Sequence, residues 1–473
     1  MKVVMCASEV VPFAKTGGLA DVAGALPLAL EKEGHEVIIV MPRYKAIQDS
    51  KFSAASAVGG SGGNITRVKD DVSCSVTGKN IKIYFIKNDN YFNRDFLYGD
   101  KTGDYKDNLE RFSYYCKRTL GLLKEINFQP DIIHVHDWQA SLIPVYLKTL
   151  YKDDAFYKNT RTILTIHNIG YQGIFSKEEF PKLGLDWNLF NIEGLEFYDK
   201  VNFLKGGMEF SDIINTVSPT YSKEIQTKEF GFGLEGVLAR RRDSLFGILN
   251  GLDYDIWNPE TDKLINKNFS VKTLEDKAKN KEGLQKICGL PLKKDVPLFG
   301  IVSRLAEQKG FDILAEDIEK ICKSDLQLVI LGTGDLKYHI LLEDMVKKYP
   351  KVISLNLKFD DPLAHKIYAG SDIFLMPSKY EPCGLGQLIS LRYGTIPLVF
   401  KTGGLADTVN ELNGFVFSEY TKEDLLKTLN KSIKAFAIKK SWRALAERAM
   451  QCDFSWGESA KQYIRLYAKA KSK

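Results

Sequence analysis

The 473-residue sequence has no apolar run of the roughly 18 residues that a membrane helix needs, so nothing in it predicts a membrane anchor. Its seven cysteines are scattered and never spaced Cys-x-x-Cys. Their odd number argues against a disulfide framework and favours a reducing, cytoplasmic setting. An excess of one charge is also missing, because 66 basic residues against 60 acidic ones leave only +6. The sequence therefore predicts no nucleic-acid partner, which would normally require a dense basic patch.

Two phosphate-binding patterns are absent as well. No Gly-x-x-x-x-Gly-Lys-Ser/Thr occurs, and no Gly-x-Gly-x-x-Gly follows a predicted strand, which argues against P-loop and dinucleotide oxidoreductase chemistry. Residues 1–13 contain a short apolar run, but acidic Glu9 and Lys-Thr-Gly-Gly stand where a signal peptide would be cleaved. We therefore predict that a first β-strand forms there.

Short apolar runs alternate with helix-like segments in two series. The first series is 3–7, 37–40, 81–86, 132–135, 162–166 and 213–217, and the second is 298–302, 326–331, 352–357, 373–376 and 397–400. Such runs are typical of strands covered on both faces, so the sequence predicts an α/β fold with two doubly wound parallel sheets. We expect domains at residues 1–245 and 246–455 and a terminal helix at 456–473.

One heptapeptide, Lys-Thr-Gly-Gly-Leu-Ala-Asp, occurs at residues 15–21 and again at 401–407. The first copy follows the first predicted strand and begins a helix. Backbone N–H groups at its glycines, the helix dipole and the charge of Lys15 would suit a phosphate. A tight turn that needs positive φ explains the glycines equally well. The repeat supports two related halves, although two similar strand-to-helix turns would look the same.

Two predicted strands end in polar residues, at 134–139 (His-Val-His-Asp-Trp-Gln) and at 165–168 (Thr-Ile-His-Asn). Ligands of open α/β sheets sit at this carboxyl edge. Asp137 suits paired sugar hydroxyls, and Trp138 suits stacking on a pyranose face. His134 and His136 lie on one side of the strand, but no further metal ligands of suitable spacing stand nearby, so ordinary hydrogen bonding is favoured over a metal site.

The second half carries two more polar segments at strand ends. Arg304 and Lys309 lie about one helical turn apart and could neutralise a diphosphate, or form a solvated helix start. Glu381 lies in a Glu-Pro-Cys-Gly-Leu segment between a strand and a helix. Cys383 has no neighbouring histidine with an orienting partner, so we do not predict a thiol nucleophile.

Six segments in order resemble bacterial glycogen synthases and plant starch synthases, and the likeness extends from residue 2 to about residue 460. They are residues 15–21, His-Asp-Trp at 136–138, 165–168, Asn-Gly-Leu-Asp at 250–253, Ser-Arg-Leu with Gln-Lys-Gly at 303–310, and Glu-Pro-Cys-Gly-Leu at 381–385. The resemblance implies a GT-B architecture, in which an acceptor-side domain and a donor-binding domain, both Rossmann-like, face a deep cleft. Residues 456–473 match the helix that crosses back to the first domain.

The implied reaction is transfer of glucose from ADP-glucose to the non-reducing end of glycogen or a malto-oligosaccharide. The anomeric configuration is retained, and neither a metal nor an organic cofactor is needed. Implied catalytic residues are Glu381, His167, Arg304 and Lys309. Implied donor-binding residues are Lys15, Gly18, Arg304, Lys309, Phe359, Cys383, Gly384, Leu385, Thr402 and Gly403, with Phe359 at the base. Implied sugar or acceptor contacts are Asp21, Asp137, Trp138, Asn168 and Asn250. Phe400 and Gly386 depart from the family pattern, at positions where relatives often carry Arg and Thr.

Three alternatives stand beside this interpretation: another GT-B sugar transferase, a glucan-binding regulatory protein without catalysis, and a nucleotide-dependent oxidoreductase. The paired Lys-Thr-Gly-Gly-Leu segments argue against the first. The presence of Lys15, Arg304, Lys309 and Glu381 argues against the second, and the missing glycine fingerprint against the third. A covalent intermediate and front-face attack are both compatible with the sequence, which also leaves oligomeric state and allosteric control open.

Overall fold

A computed structural model describes residues 1–47 and 65–473, and contacts within it divide the chain into two units. The first unit comprises residues 1–251 and 456–473, and the second comprises residues 252–455. The first unit continues past the predicted boundary at residue 245, because the strand Leu245–Gly247 still pairs with Ile213–Thr216 of the first sheet.

The strands of the first unit are β1 (Lys2–Cys6), β2 (Glu36–Pro42), β3 (Thr66–Lys69), β4 (Val72–Thr77), β5 (Ile81–Ile86), β6 (Gly99–Asp100), β7 (Gly103–Asp104), β8 (Ile132–His136), β9 (Arg161–Ile166), β10 (Ile174–Ser176), β11 (Glu196–Phe197), β12 (Lys200–Asn202), β13 (Ile213–Thr216) and β14 (Leu245–Gly247). Its helices are α1 (Gly18–Lys32), α2 (Asp89–Phe92), α3 (Asn108–Glu125), α4 (Asp137–Ala140), α5 (Leu142–Lys148), α6 (Phe203–Phe210), α7 (Pro219–Glu224) and α8 (Glu235–Arg240).

The main sheet of this unit has the order β14-β13-β9-β8-β1-β2-β5-β4-β3. The pairs from β14 to β5 are parallel, whereas β4 and β3 add in antiparallel fashion at one edge. The expected parallel arrangement stops there because the connections at residues 70–71 and 78–80 are too short for a crossover. Strands β10, β12 and β11 form a separate small antiparallel sheet.

The strand order of the main sheet reverses between β1 and β8. The chain places β2 and β5 on one side of β1, and β8, β9 and β13 on the other. Open parallel sheets bind ligands beyond the carboxyl ends of the strands at such a reversal. The segments after Cys6 and after His136 are therefore where a site is expected.

The second unit contains strands β15 (Leu298–Val302), β16 (Gln327–Leu331), β17 (Ile353–Asn356), β18 (Ile373–Met376), β19 (Ile396–Phe400) and β20 (Phe415–Phe417). Its helices are α9 (Lys277–Ile287), α10 (Phe311–Lys323), α11 (Leu336–Lys348), α12 (Asp361–Gly370), α13 (Gly386–Arg392), α14 (Gly403–Thr408), α15 (Lys422–Ala437) and α16 (Lys439–Met450). All strand pairs are parallel, in the order β17-β16-β15-β18-β19-β20, so this sheet reverses between β15 and β18.

The continuous apolar runs of the sequence correspond to strands covered on both faces. Strands β8 and β16 are buried along their whole length. Covering helices bury one apolar stripe each. In α10 that stripe is Phe311, Leu314, Ile318 and Ile321, spaced three and four residues apart. Burial of these stripes fixes the helices on the sheets and leaves the loops at the carboxyl edge to carry function.

The final helix, α17 (Trp456–Lys471), belongs to the first unit although the second unit precedes it in the chain. It packs on α1 and β9, and its side chains Tyr463 and Tyr467 are fully buried. No helix in the part of the chain that the structure describes combines the length and apolarity needed to cross a membrane.

The two copies of the repeated heptapeptide occupy different places in their sheets. The copy at 15–21 follows β1, beside the reversal, whereas the copy at 401–407 follows β19, one strand further from it. The counterpart of β1 in the second sheet is β15. The two sheets therefore share a winding pattern, but the sequence repeat does not mark equivalent positions.

Candidate active site

The glycine loop of the first unit is open to solvent. Gly17 is extended (φ −151°, ψ −168°), and Gly18, the first residue of α1, does not have positive φ either. A Cβ added to either glycine would meet no atom within 4 Å. The positive-φ explanation of these glycines is therefore wrong. Because neither glycine has a side chain, a ligand has space to approach the backbone at Gly17 and Gly18.

A buried carboxylate that the sequence did not identify stands behind this loop. Glu9, only 3% exposed, accepts hydrogen bonds from the backbone N–H and hydroxyl of Thr16 and from Gly17 N–H at 3.2 Å. The Tyr98 hydroxyl donates to the same carboxylate at 2.7 Å. Glu9 therefore uses the N–H of Gly17, one of the two glycine amides predicted to bind an anion, and an anion would be left with the amides from Gly18 onward.

The charge of Lys15 is already paired. Its Nζ lies 2.7 Å from Asp21 Oδ1, in the first turn of α1, and both side chains are partly exposed. Two residues predicted for different parts of the substrate are thus neighbours. A bound anion would compete with Asp21 for the ammonium group.

At the end of β8, Asp137 connects two strand ends. It has positive φ (54°), and its Oδ1 accepts a hydrogen bond from His167 N at 2.7 Å. Burial of the carboxyl group, with a smaller contribution from the carboxylate of Glu9, raises the pKa of Asp137 to about 7. Asn168 lies beside them, and its Oδ1 accepts from Gly170 N at 2.9 Å. The structure therefore brings Asp137, His167 and Asn168 together.

Trp138 lies in an aromatic cluster inside the first unit. It is 8% exposed, and its ring contacts Phe112 with centroids 4.8 Å apart and Phe175 at 5.9 Å. A Cβ on Gly173 would come within 2.5 Å of the indole. The stacking on a pyranose face that the sequence suggested needs an open ring face, which this packing does not provide.

Three histidines follow one another across β8 and β9. His136 Nδ1 lies 2.9 Å from His167 Nε2, and the rings of His134 and His136 are 4.2 Å apart. Burial lowers the pKa of His134 and of His167 to about 3, and it holds that of His136 well below its usual range. All three rings are neutral near pH 7. Within residues 1–47 and 65–473, no cluster of three or more His, Cys, Asp or Glu is arranged to hold a metal ion.

Asn250 follows β14 and is 6% exposed. Its Oδ1 is buried and has no hydrogen-bond partner among the described residues. Because buried polar atoms are normally paired, this amide oxygen is a candidate acceptor for a ligand hydroxyl.

In the second unit, Glu381 and Lys309 form a largely buried ion pair beside the strand reversal. Lys309 Nζ donates to Glu381 Oε2 at 2.6 Å, and the Ser378 hydroxyl donates to the same oxygen at 3.1 Å. The two charged side chains are only 17% and 9% exposed. The sequence placed Lys309 against a diphosphate and did not anticipate its contact with Glu381, which lies 72 residues further along the chain.

Two glycines allow neighbouring loops to hold the Glu381 segment. Gly310 has φ +81°, and a Cβ there would lie 2.1 Å from the carbonyl oxygen of Pro377. Gly403 has φ +41°, and a Cβ there would lie 2.0 Å from the carbonyl oxygen of Glu381. The second glycine copy, with Thr402 1% exposed, therefore packs against the backbone of the Glu381 loop, whereas the first copy is open.

The remaining predicted donor residues have contrasting exposure. Arg304 is exposed, with Nη2 3.3 Å from Gln308 Oε1. Phe359, in the loop between β17 and α12, is 91% exposed, so its ring can stack on a planar ligand. Cys383 is buried, with its carbonyl accepting from a side-chain amide at 2.9 Å. Gly384 has φ +74° and Leu385 is half-buried, so this stretch offers mainly backbone groups.

Comparison with known proteins gives consistent matches over nearly the whole chain. Residues 2–240 match the starch synthase catalytic domain family, and residues 286–449 match glycosyl transferases group 1. A glycogen synthase of Geotalea uraniireducens is 51% identical over 486 residues, covering 99% of this chain and 98% of that protein. A glycogen synthase of Thermotoga maritima is 48% identical and covers 100% and 99%.

Solved structures agree with these matches. The catalytic domain of starch synthase IV from Arabidopsis thaliana, bound to ADP and acarbose, aligns with a TM-score of 0.88 at 34% identity, covering 100% of this chain and 99% of that one. A sucrose-phosphate synthase from Thermosynechococcus elongatus aligns with a TM-score of 0.63 at 16% identity, covering 100% and 99%, which shows a shared fold.

Proposed function

The chain belongs to the glycogen synthase and starch synthase family of glycosyltransferases, and from this premise we infer that it transfers glucose from ADP-glucose to the non-reducing end of an α-1,4-glucan. Its fold is the GT-B type, α/β with doubly wound parallel sheets. The acceptor is glycogen or a malto-oligosaccharide, and the α-configuration of the transferred glucose is retained.

The observation that carries the chemistry is the largely buried Lys309–Glu381 ion pair at the strand reversal of the second sheet, in the same loop region as exposed Arg304. Departure of a nucleotide diphosphate leaves negative charge on phosphate, and breaking the glycosidic bond leaves positive charge on the sugar. Lys309 and Arg304 supply cations for the first, and Glu381 supplies a carboxylate for the second. Because the pair is held before the substrate arrives, little reorganisation is needed during reaction.

We assign the other residues in the same way. Lys15 and Gly18 contact the diphosphate, with Cys383, Gly384, Leu385, Thr402 and Gly403 contributing around the donor. Phe359 stacks on the adenine, because its ring is almost fully exposed. His167 hydrogen-bonds the transferring glucose, and Asp21, Asp137, Asn168 and Asn250 contact sugar hydroxyls. For Asn250 this is supported by a buried amide oxygen without a partner among the described residues.

We place the reaction in the cytoplasm. All seven cysteines are free thiols, which supports a reducing compartment. The residues proposed for the diphosphate are cationic side chains, so we propose that neither a metal ion nor an organic cofactor takes part.

Incubation of the purified chain with radiolabelled ADP-glucose and glycogen tests this function directly. We expect label in the polymer, release of ADP, and only new α-1,4 linkages by proton NMR of early product. In a mixture with UDP-glucose at the same concentration, ADP-glucose should be consumed first. Absence of transfer from either nucleotide, or a β-linkage in the product, would contradict the proposal.

A further inference from the structure

The three strand-end histidines of the first unit form a connected row, of which the proposed function uses only the last. His134 and His136 project from the same face of β8, and His167 follows β9. The ring centroids are 4.2 Å apart between His134 and His136 and 5.2 Å apart between His136 and His167. His134 and His136, the two buried members of the row, are therefore placed to influence His167.

The hydrogen bonds of His134 are fully accounted for by its neighbours. The Asn215 side-chain amide finds partners for both its ends only when its oxygen faces the hydroxyls of Thr165 and Tyr463, each 3.1 Å away, and we assign it so. The oxygen then accepts a hydrogen bond from each hydroxyl. Since the Thr165 hydroxyl hydrogen is used there, Thr165 Oγ1 accepts from His134 Nε2–H at 2.7 Å. His134 Nδ1 then accepts from the Tyr467 hydroxyl at 2.9 Å. His134 is therefore fixed as its Nε2–H tautomer.

His136 and His167 share one proton across their contact. Both rings are neutral, and His136 Nδ1 lies 2.9 Å from His167 Nε2, so one of these nitrogens carries the hydrogen and the other accepts it. His136 Nε2 is buried and has no partner among the described residues. If His167 were the donor, His136 would carry its hydrogen on this buried nitrogen, leaving an N–H with no acceptor.

The reverse arrangement avoids that cost. With the hydrogen on His136 Nδ1, the buried Nε2 is a bare acceptor, and buried N–H groups without partners are rarer than unpaired acceptors. We propose that His136 is a positioning residue: its Nδ1–H donates to His167 Nε2 and so holds His167 as the Nδ1–H tautomer. His167 Nδ1 makes no hydrogen bond to another described residue, so its N–H is available for a ligand.

The inference rests on the proposed function, in which His167 bonds the transferring glucose, and it says which kind of bond is made. His167 acts as a donor, so it can stabilise an oxygen that gains negative charge during transfer. The geometry supports a fixed donor. The His136 ring packs against His134 at an interplanar angle of 32°, and the Tyr467 hydroxyl donates to His134. Asp137 holds the backbone N–H of His167 at 2.7 Å.

Two substitutions separate positioning from simple packing. His136→Phe keeps a planar ring but removes the donor, so His167 is released to its other tautomer. His136→Asn restores an N–H that can donate to His167 Nε2. His35→Phe is the matched control. His35 lies at the amino end of β2, away from the carboxyl ends where the site lies, and it contacts the N-terminal amine at 3.1 Å. The chain has only six histidines, so ¹⁵N-histidine NMR can report the tautomer of each.

We expect the ¹⁵N spectrum of the wild-type chain to show His167 as the Nδ1–H tautomer. His136→Phe should shift it to Nε2–H and lower kcat about 10-fold to 100-fold, with the KM for ADP-glucose within about twofold of wild type. His136→Asn should restore the Nδ1–H signal and most of kcat, and His35→Phe should change neither.

A wild-type His167 in the Nε2–H form would overturn the proposal, and this measurement needs no variant to fold. A folded His136→Phe chain that keeps the Nδ1–H signal or full kcat would also overturn it. If the wild-type chain transferred no glucose at all, the proposed function would fail, while the spectrum would still decide what His136 does to His167.

Discussion

At the scale of single residues, the contact between Lys309 and Glu381 predicts that substitutions of the two residues have coupled effects on the rate, rather than the additive effects expected of two residues with independent roles. Glu381→Gln should lower kcat far more than it raises KM, because the carboxylate acts on charge that develops in the transition state. Lys309→Met should cost about 2–4 kcal/mol of transition-state stabilisation. Since each side chain holds the other, the double variant should lose little more than the worse single variant.

Steady-state kinetics on the four proteins of this cycle give the coupling. Lys379→Met is the control, because Lys379 pairs with Glu307 at 3.3 Å on an exposed surface, where such pairs contribute about 0–1 kcal/mol. Strictly additive losses for Lys309 and Glu381 would mean that their ion pair has no part in the reaction.

Asp137 predicts a pH dependence of stability. Its pKa is raised by burial to about 7 in the folded chain, whereas an unfolded Asp titrates near 3.8. Between these values the folded state binds the extra proton, so the contribution of Asp137 to the free energy of unfolding falls as the pH rises. At about 1.4 kcal/mol per pKa unit the full penalty is at most about 4 kcal/mol above pH 7.

Asp137→Asn removes this penalty while keeping an oxygen for His167 N–H. In urea denaturation, the free energy of unfolding of the variant should therefore increase relative to that of the wild type as the pH rises from 5 to 8. A difference that stays constant over this range would show that the carboxyl group is not buried in its ionised form.

A functional residue could be identified from the sequence when its role depends on residues near it in the chain, and not when its partner is distant in the chain. Glu381, Arg304 and Lys15 stand directly in strand-to-helix loops, so their position at the carboxyl edge follows from the apolar runs before them. Glu9 was not identified, because nothing local shows that its carboxylate turns back to the amides of Thr16 and Gly17. His136 is similar, since its partner stands on another strand.

At the scale of elements, the approach of two loops at Gly310 can be tested against an equally strained glycine. Gly310→Ala and Gly289→Ala both place alanine at left-handed φ (+81° and +66°), which costs about 1–2 kcal/mol in each case. Only at Gly310 would the new Cβ meet another loop, 2.1 Å from the carbonyl oxygen of Pro377, whereas nothing lies within 4 Å at Gly289.

We therefore expect Gly310→Ala to lose about 1–3 kcal/mol more stability than Gly289→Ala, and to lower kcat because the loop carrying Glu381 is displaced. Thermal unfolding and initial rates measure the two effects. Equal behaviour of the two variants would show that the loops adjust without cost.

Helix α17 contributes to the interior of the first unit through hydroxyl groups as well as apolar area. Tyr467→Phe keeps the ring but leaves His134 Nδ1 buried without a donor, which should cost about 1–3 kcal/mol in urea denaturation. Lys461→Ala on the same helix removes an exposed side chain that pairs with Glu458, and surface substitutions of this kind usually change stability by no more than about 0.5 kcal/mol. A neutral Tyr467→Phe would mean that water replaces the hydroxyl.

Strands were predictable where both of their faces are buried, because such a strand has a continuous run of apolar residues. The predicted bounds of β5, β15 and β18 coincide with the structure. The short strands β10 to β12 were not predicted, because two or three residues carry too little periodicity to show in a sequence. The antiparallel edge at β3 and β4 was missed for a related reason, since β3 is exposed along its length.

At the scale of the whole molecule, we predict transfer that does not depend on a divalent metal. Lys15, Arg304 and Lys309 would neutralise the departing diphosphate, and Asp253, the nearest equivalent of a metal-binding aspartate, accepts a hydrogen bond from Asp255 N at 2.9 Å within a turn. Excess EDTA should leave the initial rate of glucose transfer nearly unchanged. Loss of activity in EDTA and its recovery with magnesium or manganese would contradict this prediction.

The chain leaves the first unit at Gly251 and returns to it at Trp456, so the order in which the ribosome makes the two units is not the order in which they can be completed. Residues 252–455 emerge as one uninterrupted stretch and have everything their sheet requires. The earlier-made sheet must wait for Tyr463 and Tyr467, and at about 5–20 residues per second this wait lasts about 10–40 s. During that interval His134 and Asn215 lack their tyrosine partners, so the first-synthesised part of the chain stays incomplete until the whole second unit has been made.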